Sequence, residues 1–300
     1  METEPYGQAA LVLPRELRRA ALGLPAELQS RAEEFRLRKG QPLSVVNGCG
    51  EVATDSPEVT AEDLSAVVGQ ASGYSVHSVR QQLSCGYLTV RGGHRIGLCG
   101  EAVVKDGGVA GFRNLSSISV RIARQIREAG ETVVCRLTDE SGVVSDTLIL
   151  APPGVGKTTL LRDVVRRLSD GIGVRPHRIG LADERRELSA LWEGQAQFDV
   201  GRRTDVIVDG SKADAAQMLV RGMNPQVLAM DEITAEADVE ALLWAAGCGV
   251  RLLASAHGED LSSLQRRKIY RELMEYNLFQ RVVIVGEQNG VRSYQVEVIG

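Results

Sequence analysis

Aromatic residues make up only 4% of this 300-residue chain. So few ring faces leave little on which to stack bases, and this weighs against a single-strand nucleic-acid platform. No apolar run reaches the length a bilayer demands, so no membrane-spanning helix and no direct membrane insertion are expected. Met1-Glu-Thr-Glu-Pro5 is acidic and lacks a signal-peptide pattern. Cys49, Cys85, Cys99, Cys135 and Cys248 are scattered and odd in number, with no C-x-x-C spacing. They read as reduced thiols in a cytosol, not as a disulfide frame or a zinc site. The formal net charge of −4 gives no global basic footprint, although a local basic patch stays open. Hydrophobic residues at 43% suffice for a packed core, and the length suggests two domains.

What is present is Leu148-Ile-Leu-Ala-Pro-Pro-Gly-Val-Gly-Lys-Thr-Thr-Leu-Leu161. An apolar run with strand character breaks at Ala151, and an amphipathic helix follows with Leu160, Leu161, Val164, Val165 and Leu168 on one face. Strand, glycine-containing loop and helix in this order form the context of a phosphate-binding loop. Ala151, Pro152, Pro153, Gly154, Val155, Gly156, Lys157, Thr158 and Thr159 are the candidate binding residues. Gly154 and Gly156 let backbone N–H groups curl around phosphate oxygens, and the new helix presents unpaired donors and its positive dipole end. Lys157 adds a charge for the β- and γ-phosphates, and the Thr158 hydroxyl suits Mg²⁺. Ala151 stands where the pattern has its first glycine, so a negative φ is expected there.

Ahead of the loop the chain reads as α+β. Residues 1–40 look helical and charged, ending in a short strand or helix end at Glu33–Gly40. Pro42–Thr54, with Asn47-Gly48 at its centre, reads as a β-hairpin. Thr60-Ala-Glu-Asp63 is a capping box for a helix carrying Leu64, Val67, Val68 and Ala71. Ser75–Leu83 suggests another helix, and Gly86–Gly111 a glycine-rich antiparallel region. A linker is expected near 124–146, giving domains 1–124 and 125–300. Beyond Asp146, strands alternate with helices, the signature of a parallel α/β sheet. Strand candidates are Thr147–Leu150, Arg178–Ala182, Val227–Met230, Arg251–Ser255 and Val282–Val285, with a helix over Ala235–Gly247.

Val227-Leu-Ala-Met-Asp-Glu232 is an apolar strand ending in two carboxylates, where an open α/β sheet places its ligand crevice. Asp231 is suited to Mg²⁺ and Glu232 to polarising a water. Ile179–Ala182 lies between the two motifs in the chain and ends in Asp183 and Glu184. This resembles the additional-strand class of ATPases; the two acids are then expected at the rim of the site, or else they begin a charged helix. Arg251–His257 ends in Ser255 and His257, candidates for the γ-phosphate or the attacking water.

These features, with Asn224-Pro225 ahead of Asp231-Glu232-Ile-Thr234 and then Ala254-Ser-Ala-His257, resemble the secretion-type hexameric ATPases of type II and type IV secretion and pilus retraction. The resemblance covers about residues 120–290. It implies a RecA-like additional-strand P-loop NTPase core with a smaller α+β N-terminal domain, ATP and Mg²⁺ as ligands, and a hexameric ring. Glu232 matches the catalytic glutamate, whereas that family usually has Gly-Glu here, so the comparison lends Asp231 no metal role. Arg113, Arg121 and Arg124 lie where the family supplies arginines to a neighbour's nucleotide, or else they bind local carboxylates and solvent.

Glu34-Phe-Arg-Leu-Arg38, Gly92–Gly100, Asn114–Arg124 and Arg203-Thr-Asp-Val206 resemble a sporulation family of the same class. That resemblance implies a mother-cell cytosolic ATPase docking beneath membrane-embedded channel proteins of its own operon. Two other readings stay open. One is a helicase or single-strand translocase using Arg36, Arg38, Lys39, Arg91 and Arg95; the other is a nucleotide switch that hydrolyses little without a partner.

Overall fold

The computed structural model describes residues 4–73, 82–83, 86–105, 107–264, 268–288 and 291–299. The helix expected over Ser75–Leu83 falls almost wholly outside them. The chain divides into two compact units, Met1–Arg124 with Trp192–Gln197, and Gln125–Leu191 with Phe198–Gly300.

The first unit opens with helices α1 (Pro5–Ala10), α2 (Arg15–Leu22) and α3 (Ala26–Arg31). Six strands follow: β1 (Ala32–Arg38), β2 (Pro42–Asn47), β3 (Gly50–Glu58), β4 (Tyr87–Thr89), β5 (Arg95–Lys105) and β6 (Gly108–Arg121). They form an antiparallel sheet in the order β3-β2-β1-β6-β5-β4. The Glu33–Gly40 stretch is therefore a strand. Phe35 and Leu37 enter the core while Arg36 and Arg38 face outward, the period of two that strand geometry imposes. Arg36 pairs with Glu34 at 3.0 Å and Arg38 with Glu51. Hydrogen bonds from Arg38 and then Ser44 hold the Glu51 carboxyl down at about 2. Helix α4 (Ala61–Ala71) starts at the expected capping box, Thr60 and Asp63 bonding each other's backbone N–H. The long β5–β6 hairpin shifts register between Cys99 and Glu101. Gly100 is required at that step: a Cβ there would stand 2.9 Å from Arg113 O and Leu115 Cα.

His94 is fully buried in this unit. Its Nδ1 accepts the Ala123 N–H at 3.0 Å, and its Nε2 has no partner among the described residues. Burial, then the charge of Arg124, pushes its pKa from 6.5 down to about 4. Because the folded value is depressed, the stabilisation is complete above pH 6.5 and fades as pH falls towards 4. Wild type should therefore lose up to roughly 3 kcal/mol relative to His94→Gln between pH 7 and pH 4. Chemical unfolding of both proteins across that window checks this; parallel stability profiles would contradict it.

The second unit begins earlier than a free linker would allow. Residues 125–146 are folded into it: helix α5 (Glu131–Val134) and its flank bury Val133, Val134, Leu137 and Val144. The linker expectation is corrected on this point, because these apolar side chains have a core to enter. Seven strands follow: β7 (Thr147–Ala151), β8 (Ile179–Asp183), β9 (Thr204–Val208), β10 (Val227–Met230), β11 (Arg251–His257), β12 (Arg281–Gln288) and β13 (Val291–Val298). Their order is β13-β12-β7-β11-β10-β8-β9, parallel except for β13. β7, β8 and β10 are buried along their whole length, as central strands covered on both faces must be. The helices are α6 (Lys157–Asp170), α7 (Lys212–Met223), α8 (Glu236–Gly247), α9 (Leu261–Leu264) and α10 (Lys268–Glu275).

The strand interposed between β7 and β10 is β11, while β8 lies beyond β10. The additional strand thus carries Ser255 and His257, not Asp183. Among the described residues no helix is long and apolar enough to cross a membrane. Cys49, Cys99, Cys135 and Cys248 are free and exposed.

Candidate active site

β7, β11 and β10 are adjacent and parallel, so their carboxyl ends open on one crevice. β7 ends at Ala151, which is fully buried, in register with His257, and outside the positive-φ residues. Gly154 and Gly156 take φ values of +81° and +109°, and α6 starts directly after Gly156. A side chain at either position would strain the loop.

Three side chains converge at its mouth. Lys157 is 6% exposed, and its Nζ has no hydrogen-bond partner among the described residues. Glu232 Oε2 lies 3.5 Å away. The other oxygen, Oε1, is 3.0 Å from His257 Nε2, while His257 Nδ1 lies 3.4 Å from the Ala151 carbonyl. Both ring nitrogens thus face oxygen acceptors, and a proton on Nε2 lets the ring donate to the carboxylate and orient it. A buried ammonium without a hydrogen bond is costly unless an anion completes its shell. The glycine cradle and this ammonium together fit a phosphate group.

Asp231 Oδ1 accepts from the Glu232 N–H at 3.0 Å and from the Ser255 hydroxyl at 2.9 Å. Ser255 is fully buried, and its oxygen also accepts the Glu232 N–H at 3.0 Å. Ser255 thus holds the β10 terminus and is not presented to a phosphate or water as expected. Asp231 Oδ2 accepts no hydrogen bond among the described residues. No cluster of three or more His, Cys, Asp or Glu among them could hold a metal. Mg²⁺ commonly rests on substrate phosphates, waters and one or two protein oxygens, and the Thr158 hydroxyl and Asp231 Oδ2 are oxygens of the type that could serve.

Asp183 is not at the rim. It is 1% exposed, and its carboxylate accepts the N–H of Leu188 at 3.1 Å and the N–H and hydroxyl of Ser189, both at 2.7 Å. Burial pushes its pKa up. The turn it caps is clamped from α6 by Arg162, whose Nε donates to Leu188 O at 2.8 Å and whose guanidinium lies over Phe198. Glu184 remains partly exposed, 3.7 Å from Lys212 Nζ.

Lys212 escapes sequence reasoning. It is buried, and its Nζ donates to Glu232 O at 2.6 Å and Thr234 Oγ1 at 2.9 Å, with Asp238 Oδ2 at 3.2 Å. It ties down the turn that bears Glu232. One signal was available: Lys212 opens a helix, where the dipole disfavours a cation unless carboxylates hold it.

The three candidate arginines of the first unit differ. Arg113 is exposed and paired with Glu101 at 3.0 Å, and Arg121 is exposed. Arg124 is engaged inside its own unit, donating to Ala32 O, Gln29 O and Ser30 O, where α3 ends and β1 begins. Its guanidinium closes a helix terminus, as basic side chains there often do.

This fold is a RecA-like, additional-strand P-loop core preceded by a smaller α+β domain. It is similar to the pilus retraction motor PilT with bound ADP, at TM-score 0.62 and 16% identity over 91% of this chain and 81% of that one. It is likewise similar to the Legionella pneumophila ATPase DotB, at TM-score 0.57 and 14% identity over 90% of this chain and 77% of that one. At such identities the likeness is one of fold. Residues 7–296 match the model of the family described as sporulation stage III, protein AA, and the chain belongs to that family. Stage III sporulation protein AA of Bacillus subtilis (strain 168) is 36% identical over 284 residues, 94% of this chain and 92% of that protein.

Proposed function

We propose that this sporulation-family protein is a Mg²⁺-dependent ATP hydrolase acting as the motor of a membrane channel complex. The observation that carries this is the buried Lys157 ammonium at a glycine-cradled loop, 3.5 Å from the Glu232 carboxylate that His257 meets on its other oxygen, and without a hydrogen bond among the described residues. Lys157 and the loop N–H groups from Gly154 to Thr159 bind and orient the β- and γ-phosphates, while Ala151, Pro152 and Pro153 shape the turn into the loop. Glu232 takes a proton from the water aligned with the γ-phosphate, and His257 holds the carboxylate in place for it. Lys212 keeps the Glu232 turn fixed. Thr158 and Asp231 would hold Mg²⁺, which would supply positive charge to offset that developing on the phosphates.

In a hexameric ring, Arg113 or Arg121 of one subunit would serve a neighbour's phosphates; Arg124, held by three carbonyls, is the weaker candidate of the three. The protein would work in the mother-cell cytosol beneath the membrane-embedded sporulation proteins of its operon. The ion pairs of Arg36 and Arg38 take two cations from the nucleic-acid reading, which leaves it the poorer account.

Phosphate release from ATP tests the proposal. Wild type should release phosphate only with Mg²⁺. Lys157→Ala should lose both turnover and the rise in melting temperature that Mg-ATP gives wild type. A Lys157→Ala variant that hydrolyses at the wild-type rate would sink it. Particle mass with Mg-ATP, near six subunits or not, tests the ring separately.

A further inference from the structure

The β12–β13 hairpin reaches past the end of β7. Ile284, opposite Leu150, is the last β12 residue in register with β7. β12 then continues through Gln288, and in that extension Glu287 stands opposite Arg292 of β13 in the backbone register, with no ion pair between the two side chains. Arg292 comes to rest on the phosphate loop. A methyl group built at Gly156 would stand 2.9 Å from its Cζ and Nε and 3.2 Å from its Nη2. The side chain is half-buried, and among the described residues its guanidinium has no ion-pair or hydrogen-bond partner. A cation held against an anion-binding loop without a carboxylate is poised for a ligand's charge.

The strand order supplies the direction. Glu232 and His257 reach the loop from β10 and β11, on one side of β7; Arg292 arrives from β13, on the other. A terminal phosphate beside Lys157 and Glu232 forces the opposite end of the polyphosphate out towards the β12–β13 side. We propose that Arg292 is a binding residue acting within its own chain, clamping the α-phosphate end of a nucleoside di- or triphosphate. This rests on the nucleotide reading and adds a contact that reading does not contain. It also predicts a character opposite to that of an arginine acting on the transferring phosphoryl group. An α-phosphate contact is equally strong before and during reaction, so it governs affinity for ADP and ATP alike and leaves the chemical step alone.

The test is calorimetric titration of the full chain, wild type, Arg292→Ala and Arg292→Gln, with Mg-ADP and with Mg-ATP. Melting without nucleotide reports whether each variant is folded, and the glutamine variant preserves bulk if alanine does not fold. Both dissociation constants should rise by the same factor, roughly tenfold for one lost charge-assisted contact. KM should rise with them, by more than turnover at saturation falls. Unchanged dissociation constants, a loss confined to ATP, or lower turnover at constant KM would each overturn the assignment. Wild type binding neither nucleotide would overturn the nucleotide reading itself. Wild type binding both, beside indifferent variants, would remove Arg292 alone.

Discussion

Glu232→Gln should bind Mg-ATP within about threefold of wild type while losing roughly 10²–10⁴ in turnover, the usual contribution of a general base. The side chain keeps its length and shape, so the loop, Lys157 and the β10 terminus stay where they are. The amide cannot accept a proton from water, and it meets both Lys157 Nζ and His257 Nε2 as a neutral group. The Glu232 backbone is held independently, its N–H by Asp231 and Ser255 and its carbonyl by Lys212. Disruption of the turn is therefore not expected to account for a loss. Single-turnover phosphate release against equilibrium binding separates the two quantities. A variant within threefold of the wild-type rate would remove Glu232 as the base.

Asp163→Ala should be strongly destabilising to the second unit. Asp163 Oδ1 accepts from Arg166 Nε at 2.9 Å and Nη2 at 2.7 Å; Oδ2 accepts from Arg167 Nε at 3.0 Å and the Gly130 N–H at 2.8 Å. The carboxylate is 1% exposed, and the two guanidinium side chains 9% and 7%. Burial alone would raise the Asp163 pKa, but the Gly130 N–H and the two arginines together hold it below the ordinary value. Removing the carboxylate leaves two buried cations uncompensated, at a cost of about 3–5 kcal/mol. In a unit of this size that lowers the melting temperature by about 10 °C. Asp163→Asn, which keeps an acceptor for Gly130, should fall between. Since the folded pKa is depressed, this stabilisation is present above the unfolded value and lost as pH falls through the folded one. Denaturant unfolding at neutral pH measures it; a loss under 1 kcal/mol would show that the cluster is not the lock described.

Asp163 also marks where the sequence stops speaking. The phosphate loop was legible because its chemistry is local: two glycines, a lysine and a threonine beside an apolar strand. Glu232 and His257 were legible because each closes an apolar strand, and strand ends face the crevice. Strand order is not local. Ile179–Asp183 stands between the motifs in the chain yet lies beyond β10, and β11 takes the place beside β7. Asp183 consequently caps its own turn. β9 and β13 went unseen because edge strands mix polar and apolar residues, and neither is fully buried along its length. Arg162 lies among the charged residues of an amphipathic helix, Lys212 between Asp209 and Asp214, and Arg292 alone in a polar stretch, so no local motif singles them out. Only folding brings Lys212 under the Glu232 turn and Arg292 onto Gly156. Arg124 shows the converse, since its three carbonyl partners occupy residues 29–32, far from it in the chain.

Equilibrium titration of the wild-type chain with Mg-ATP, beside Lys157→Ala, tests the central claim most directly. Saturable binding by wild type, lost in the variant while its nucleotide-free melting temperature is retained, is the predicted result. Equal binding by both proteins, or none by wild type, would contradict the assignment of this loop as the nucleotide site.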